Sequence, residues 1–494
     1  MERNNASETT VTPGQAQLVE EVLARFGKAA AIVDPDMIAP WIRDWRGRYW
    51  GAAPAILAPE NTAEVEAIVI RAGELGVPLV PQGGNTSMVG GATPPADGSA
   101  LILSLRRMKR IRELSLEDNK VVAEAGVILD DLHAAADAAG RRFPLSLGAR
   151  GSATVGGLVS TNAGGTQVLR FGTMRRLVAG IEAVLPNGQV YHGLSALKKD
   201  NRGYDFNQLL IGGEGTLGVV TAATLELVPA VTDRCVAWVG MSSPEEALRL
   251  LRVFEAETTQ VESFEIVPED SLSLVLKHIP GTRNPLSRLH PWNVLIEACA
   301  TSPIAESPRT VMERVLAAGF DDGLFDDAAI ATSEAQANDF WRIRESLSEA
   351  EKARGPATQH DISVAINLMP KFMVEAAAEL AARFPGTEAS AFGHLGDGNV
   401  HFHVRAPVGA DPAKWYAEQA PLVTAYVHDL VVASGGSISA EHGIGQMKRE
   451  ELERLGPPAR LSMLSAIKRA MDPAQLFNPG KLVPDWTYND QANS

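Results

Sequence analysis

The sequence predicts an α+β fold, built from short apolar β runs mixed with amphipathic helical segments. The strands and helices do not follow the regular βαβ alternation that a doubly wound parallel sheet needs. From about Cys235 onward, alanine-rich helical segments alternate with short strands. We therefore expect two structural halves that meet near residue 230.

The first helix is expected after Asn61, which can act as an N-cap with Glu64 three residues further on. Gly73 or Gly76 would end this helix, and residues 78–81 read as a strand that enters a glycine-rich turn. Further strands are predicted at 100–103, 120–124, 177–185 and 219–228. Further helices are predicted at 129–139, 244–257, 307–318, 334–354, 370–383, 412–433 and 448–472.

The chain has 494 residues, which corresponds to two or three domains at about 150 residues each. We expect an N-terminal segment (1–50), a glycine-rich domain (51–230), a second α+β domain (231–447) and a C-terminal helical segment (448–494). The N-terminal residues are polar, and the first clear helix is the one expected after Asn61.

The net charge of −15 argues against binding to nucleic acid or to an anionic membrane, since both need an excess of basic residues. The two cysteines, Cys235 and Cys299, form neither a disulfide framework nor a metal-site spacing. The polar N-terminus lacks the apolar core of a secretory signal, and no run of 18 apolar residues predicts a membrane span. We expect a cytoplasmic protein, with peripheral association at a membrane as the alternative.

Glycines are concentrated in three segments: PQGGNTSMVGGATP (81–94), LGARGSATVGGLVSTNAGG (147–165) and GGEGTLGVVT (212–221). Glycine lets the backbone approach a ligand closely, and successive N–H groups in such turns form anion-binding nests. One such cluster would indicate only tight turns. Three clusters favour a long cofactor with a diphosphate, yet the sequence contains neither a P-loop nor a convincing Rossmann fingerprint.

Four of the ten histidines, His394, His401, His403 and His442, lie within 49 residues. The segment FGHLGDGNVHFHV predicts a hairpin in which His401 and His403 share one strand face and His394 joins them from across the turn. Glu441, in SAEHGIG, could reach the same point. Two imidazoles and a carboxylate form an open site for a divalent metal, although a hydrogen-bonded polar strand face is the simpler alternative.

The three glycine segments resemble the FAD-binding segments of the vanillyl-alcohol oxidase/p-cresol methylhydroxylase superfamily, and the resemblance runs from about residue 52 to the C-terminus. It implies an N-terminal FAD-binding domain, a substrate (cap) domain and non-covalent FAD, because the first loop contains no histidine. Lys481 lies in a tail segment that is implied to return to the flavin. The resemblance assigns the following residues to FAD: Pro81, Gly83, Gly84, Asn85, Thr86, Ser87, Gly90, Gly148, Ser152, Gly156, Gly157, Asn162, Gly165, Glu214, Gly215, Val220 and Asn478.

The motifs GHLGDGNVH and AEHGIG are similar to those of the FAD-linked D-2-hydroxy-acid dehydrogenases. This resemblance implies that His394, His401 and Glu441 bind a metal, zinc first and manganese as the alternative, and that His442 is the catalytic base. An R-x-x-x-T/S pattern implies that Arg344 and Ser348, four apart on one helical face, bind the far carboxylate of the substrate. Two further substrate positions depart from the pattern of relatives: Gln359, where they commonly have lysine, and His403, where they often have asparagine.

The implied reaction is metal-assisted oxidation of a D-2-hydroxy acid to the 2-oxo acid, with hydride transfer to the flavin N5. D-2-hydroxyglutarate is the first expectation and D-lactate the second. The implied electron acceptor is an electron-transfer flavoprotein, a quinone or oxygen, and we also consider a homodimer. Two alternatives stay open: the FAD subunit of a glycolate-oxidase complex, and a flavin-free 2-His-1-carboxylate metal protein, which would leave the glycine segments unexplained.

Overall fold

The computed structural model describes residues 11–195 and 197–484. Its strands, in chain order, are β1 (Ala31–Ile32), β2 (Ile56–Leu57), β3 (Leu79–Gln82), β4 (Leu101–Ser104), β5 (Ile111–Ser115), β6 (Lys120–Glu124), β7 (Arg141–Arg142), β8 (Val178–Val184), β9 (Val190–Gly193), β10 (Val219–Glu226), β11 (Val228–Pro229), β12 (Asp233–Met241), β13 (Val261–Pro268), β14 (Trp292–Ala300), β15 (Asp327–Ile330), β16 (Ala357–Ser363), β17 (Glu388–His394) and β18 (Asn399–Arg405).

The helices are α1 (Pro13–Phe26), α2 (Pro35–Ile38), α3 (Thr62–Leu75), α4 (Leu129–Ala138), α5 (Val155–Thr161), α6 (Val168–Phe171), α7 (Met174–Leu177), α8 (Asn207–Leu210), α9 (Pro244–Glu257), α10 (Glu269–His278), α11 (Pro308–Asp321), α12 (Glu334–Glu345), α13 (Leu347–Glu351), α14 (Met369–Arg383), α15 (Pro412–Lys414), α16 (Ala420–Ala433), α17 (Arg449–Leu455) and α18 (Pro458–Met471). A π-helical turn, Trp415–Gln419, joins α15 to α16. No helix in the described part of the chain is long and apolar enough to cross a membrane.

The N-terminal half contains two main sheets. One has the order β1-β2-β4-β3, in which β2, β4 and β3 are parallel, and the other is antiparallel with the order β5-β6-β10-β8-β9. The first sheet packs on α1 and α3 through a core that includes Leu18, Val65 and Leu79. The chain end returns to this sheet, since Leu79 donates its N–H to the Leu476 carbonyl and accepts from the Asn478 N–H.

The C-terminal half is built on one seven-stranded antiparallel sheet with the order β15-β12-β14-β13-β17-β18-β16. One face packs on α9, α11, α14 and α16 through an apolar core that includes Val400, Phe402 and Val404. The opposite face packs on α10, α12 and α13 around Trp238 and Phe392. Beyond Phe392, this second face of the sheet carries polar side chains.

The predicted α+β fold is confirmed, and α3 begins at the predicted cap, because the Asn61 side chain accepts the Glu64 N–H at 3.0 Å. An earlier helix, α1, precedes the one expected as the first clear helix. Thr12 and Gln15 cap α1 reciprocally. The helix predicted at 334–354 is broken at Ser346, and the helix predicted at 448–472 is broken at residues 456–457.

The two halves are joined by an ion cluster around Glu262, which is fully buried on β13. Both terminal nitrogens of Arg142, on β7, donate to its carboxylate, and Arg170, on α6, adds a bond of 2.6 Å. Removing one charged member of such a buried cluster lowers the stability of the protein, because the remaining charges lose their partner.

Replacing Glu262 with Gln is expected to lower the free energy of unfolding by about 3 kcal/mol, since two half-buried guanidiniums lose their counter-charge. Equilibrium denaturation in urea measures this change. Glu255→Gln is the matched control, because Glu255 pairs with Arg252 on an exposed face, where such pairs contribute less than about 1 kcal/mol. Equal losses in the two variants would contradict the role given to Glu262.

Candidate active site

The predicted histidine hairpin is present as β17 and β18. The Gly398 N–H closes the turn on the His394 carbonyl at 3.1 Å, and Gly398 has a φ of 82°, a conformation that favours glycine. Phe392 lies opposite His401, so His394 and His401 project from the same face of the sheet. Their ring centroids are 5.4 Å apart.

The structure brings Glu441 to these two histidines from the loop before α17. His394 Nε2 lies 4.0 Å from Glu441 Oε1, and one ligand atom from each of His394, His401 and Glu441 lies within 4.8 Å of the others. We call these three residues the donor triad. Burial raises the pKa of Glu441 to about 7, and the neighbouring Asp361 carboxylate acts in the same direction. This donor set fits a divalent cation, which would balance the buried carboxylates.

Glu265, on β13, orients the triad and was not identified from the sequence. Its Oε1 lies 2.7 Å from His394 Nδ1 and its Oε2 accepts from Arg344 Nε at 2.7 Å. Burial disfavours a charge on His394, but the Glu265 carboxylate outweighs it and raises the pKa of His394 to about 9. Because Nδ1 is occupied by Glu265, Nε2 is the atom that faces the triad.

Asp361, on β16, fixes the loop that carries Glu441 and His442. Its Oδ2 accepts both of their backbone N–H groups at 2.9 Å, and its Oδ1 accepts from the Asn399 side chain at 3.0 Å. Burial opposes the ionised form, but the neighbouring His442, Lys448 and His401 hold the pKa of Asp361 well below its usual range. The ionised carboxylate of Asp361 therefore anchors the backbone of Glu441 and His442 together.

The His442 ring lies beside this anchor, with Nδ1 3.5 Å from Asp361 Oδ2. Burial lowers the pKa of His442 to about 4, and Asp361 opposes this shift only in part. The ring is therefore neutral near pH 7 and has a lone pair with which to accept a proton.

The same loop is tied to the N-terminal half by Glu214. The carboxylate of Glu214 accepts the N–H groups of Ile444 and Gly445 at 2.7 Å each. Asn478 reinforces the contact by donating to the Glu214 carbonyl at 2.7 Å. Glu214 and Asn478, which were expected at FAD, therefore hold the His442 loop against the third glycine segment.

The first two glycine segments pack on each other at contacts that leave no room for side chains. A Cβ on Gly83 would lie 2.1 Å from Thr154 Oγ1, and a Cβ on Gly84 would lie 1.8 Å from the Ser152 carbonyl oxygen. Within the residues that the structure describes, the N–H groups of residues 84–88 have no acceptor. The buried Asn85 Oδ1 and Thr154 Oγ1 are also unpaired in this part of the chain. These free polar groups fit a diphosphate cofactor such as FAD.

Other residues expected at FAD have packing roles in the structure. Gly156 packs on Ala125, where a Cβ would come within 2.7 Å, and Asn162 ends α5 with a φ of 50° and accepts the Arg175 N–H. Val220 is buried inside the five-stranded sheet. The remaining expected positions lie in or beside the glycine segments: Pro81, Thr86, Ser87, Gly90, Gly148, Gly157, Gly165, Gly215 and, in the returning tail, Lys481.

The expected substrate residues are only partly brought together. Arg344 is buried and has an unpaired Nη2 among the described residues, whereas Ser348 is exposed. The expectation that these two residues share a helical face is wrong, because the helix breaks at Ser346, where ψ is −5°. Gln359 and His403 lie opposite each other on β16 and β18, on the same face as the triad.

Comparison with known proteins shows matches along most of the chain. Residues 53–193 match the family model "FAD binding domain", and residues 231–482 match "FAD linked oxidases, C-terminal domain". D-2-hydroxyglutarate dehydrogenase from Xanthomonas citri is 35% identical over 91% of this chain and 93% of its own length. The mitochondrial D-2-hydroxyglutarate dehydrogenase of Arabidopsis thaliana is 34% identical over 94% of this chain and 81% of its own length.

Solved structures show the same fold at lower identity. p-Cresol methylhydroxylase with substrate bound has a TM-score of 0.73 and 16% identity, and it covers 96% of this chain and 98% of its own. Alkyldihydroxyacetonephosphate synthase has a TM-score of 0.71 and 17% identity, over 96% of this chain and 86% of its own. The chain belongs to the FAD-linked oxidase family, with a p-cresol methylhydroxylase-type FAD-binding domain, and it is an FAD-linked oxidoreductase.

Proposed function

We propose that this protein oxidises a D-2-hydroxy acid to the 2-oxo acid, with D-2-hydroxyglutarate as the preferred substrate. The observation that carries the proposal is the single loop that holds Glu441, a member of the donor triad, next to the neutral His442. Glu214 holds this loop against the third glycine segment of the FAD-binding half, while Asp361 holds it against the seven-stranded sheet that carries His394 and His401. Relatives at 34–35% identity are named D-2-hydroxyglutarate dehydrogenases, which supports this choice of substrate.

The reaction removes a proton from the hydroxyl group and a hydride from C2. His442 takes the hydroxyl proton on its free ring nitrogen, since burial keeps the ring neutral. Asp361 holds the backbone of His442 and lies beside its Nδ1, which fixes the ring and stabilises the positive charge that proton transfer creates. The glycine segments would hold FAD, whose flavin ring would supply the hydride acceptor.

His394, His401 and Glu441 would hold a divalent metal, zinc first and manganese as the alternative. Such an ion would lower the pKa of the substrate hydroxyl and fix the hydroxy-carboxylate end. Glu265 keeps His394 in the orientation that ligation needs, because it occupies Nδ1 and leaves Nε2 free.

Arg344 donates to the far carboxylate of the substrate. The same Glu265 that orients His394 holds the Arg344 Nε, so the triad and this guanidinium have a fixed relation to each other. The unpaired Nη2 of Arg344 is a donor that is left for a substrate. Ser348 is exposed and does not enter the proposed site.

Anaerobic mixing of the FAD-loaded protein with D- and L-2-hydroxyglutarate, D- and L-lactate, malate and glycolate tests the proposed function. We expect D-2-hydroxyglutarate to bleach the flavin absorbance near 450 nm fastest, roughly tenfold or more ahead of D-lactate, because only the dicarboxylate reaches Arg344. Failure of every D-2-hydroxy acid to reduce the flavin would contradict the proposal. Faster reduction by D-lactate would show that D-lactate, and not D-2-hydroxyglutarate, is the preferred substrate.

Replacing His442 with Ala is expected to slow flavin reduction by about 10²- to 10⁴-fold, the usual contribution of a positioned base. Bound FAD should be retained, because His442 makes no hydrogen bond to the glycine segments in the described structure. Stopped-flow absorbance measures the reduction rate, and the flavin spectrum measures retention. The matched control is His278→Ala, an exposed histidine at the end of α10. A His442→Ala variant that is reduced at the wild-type rate would refute the assignment of the base.

A further inference from the structure

Residues 438–448, which we call the base loop, carry the proposed base and run between the two halves of the molecule. The start of the loop is fixed to β16, because the neighbouring Ser437 exchanges backbone hydrogen bonds of 2.8 and 3.0 Å with Ser363. The end of the loop is fixed to the first glycine segment, since the N–H groups of residues 446–447 both donate to the Val89 carbonyl. The two ends are therefore held by different halves of the molecule.

Lys448 joins these two ends through its side chain. It is only 6% exposed, and its Nζ donates to the Ile438 carbonyl at 2.7 Å and to the Asp361 carbonyl at 3.2 Å. Ile438 is the first residue of the base loop, Lys448 is its last residue, and Asp361 lies on β16. The side chain therefore crosses the loop and ties it to the strand that anchors Glu441 and His442.

The ammonium group of Lys448 is held by carbonyl oxygens and not by an ion pair within the part of the chain that the structure describes. Burial lowers the pKa of Lys448, and the carboxylates of Asp361 and Glu214, which hold the base loop from the two halves, oppose this shift. Burying a charge is costly, and an apolar side chain would fill the same space at less cost. What Lys448 adds to the loop is a pair of directed hydrogen bonds.

We propose that Lys448 is a positioning residue, whose hydrogen bonds close the base loop and so hold Glu441 and His442 in place for the reaction. Both Asp361 bonds to this loop end on one oxygen, Oδ2, which leaves the loop free to turn about that atom. The Lys448 bond to Ile438, three residues before Glu441, restrains this turn on the side where the chain enters the loop. Lys448 acts through the loop and not on the substrate, and this role rests on the proposed function.

The test compares wild type, Lys448→Met and Lys448→Arg, all loaded with FAD. Lys448→Met keeps the length of the side chain and removes its charge and its donors. The Kd of zinc, measured by competition with a chromophoric chelator, should rise by about 10- to 100-fold, the usual effect of removing a group that orients a metal ligand. Lys448→Arg should recover part of the affinity, because it keeps the charge and the donors.

The position of the base is measured separately, with zinc present above the Kd of each variant. The limiting rate of anaerobic flavin reduction by D-2-hydroxyglutarate should fall by about 10- to 100-fold in Lys448→Met, because a small displacement of a catalytic group has an effect of this size. The control is Lys371→Met, which removes an exposed lysine of α14 that pairs with Glu375. The control should leave both the zinc Kd and the limiting rate unchanged.

Two failures can be told apart. Wild-type protein that D-2-hydroxyglutarate does not reduce in the presence of zinc would overturn the proposed function, and the role of Lys448 with it. Wild-type protein that binds zinc and is reduced, combined with an unchanged zinc Kd and limiting rate in Lys448→Met, would overturn the role of Lys448 alone. A lower free energy of unfolding in that variant would then show that Lys448 only stabilises the fold. If Lys448→Met does not fold, Lys448→Gln, which keeps a donor without the charge, is judged by the same two measurements.

Discussion

The site depends on the carboxylate of Asp361, which accepts two consecutive backbone N–H groups from a loop distant in sequence. Those two residues, Glu441 and His442, have different chemistry: one completes the donor triad and the other can accept a proton. Because both bonds go to a single oxygen, the spacing between ligand and base is fixed by one interaction. Asn399 holds the second oxygen, so the carboxylate itself has little freedom to rotate.

Two other buried carboxylates extend this arrangement to the rest of the molecule. Glu214 holds the same loop against the glycine-rich half, and Glu265 joins the triad to Arg344. The net charge of −15 therefore does not describe the site. Anionic ligands would meet free backbone N–H groups and local guanidiniums, while the buried carboxylates orient these donors and make the triad suitable for a cation.

Much of this arrangement could be predicted from local sequence patterns. Alternation of apolar and polar residues placed His401 and His403 on one face of β18, and the Gly396–Gly398 turn brought His394 to the same face. Both predictions are confirmed by the strand register. Glycine clustering likewise marked the first two loops, which pack on each other beside the free N–H groups of residues 84–88. Each of these signals depends on residues close together in the chain.

The rest depends on contacts between distant residues, which local patterns do not reveal. Glu265 and Asp361 each stand in an otherwise apolar or mixed strand. A charged residue within such a strand is the signal that the sequence offers, and the structure shows that both carboxylates are buried. Arg344 lies 79 residues from Glu265, and Glu441 lies 80 residues from Asp361. The break at Ser346, which separates Arg344 from Ser348, has no glycine or proline to mark it, so a continuous helix was the natural expectation.

The crystal structure of an Asp361→Asn variant, crystallised with FAD in the presence of zinc, tests most directly whether one carboxylate positions both ligand and base. An asparagine that keeps its oxygen toward the loop must turn its NH₂ group toward the Asn399 NH₂ group, so one of the two contacts is lost. We predict that Glu441 and His442 move away from His394 and His401 and that the zinc peak in the anomalous map weakens or disappears, while FAD stays bound. A variant in which the loop and the zinc peak superpose on those of the wild type would contradict the account.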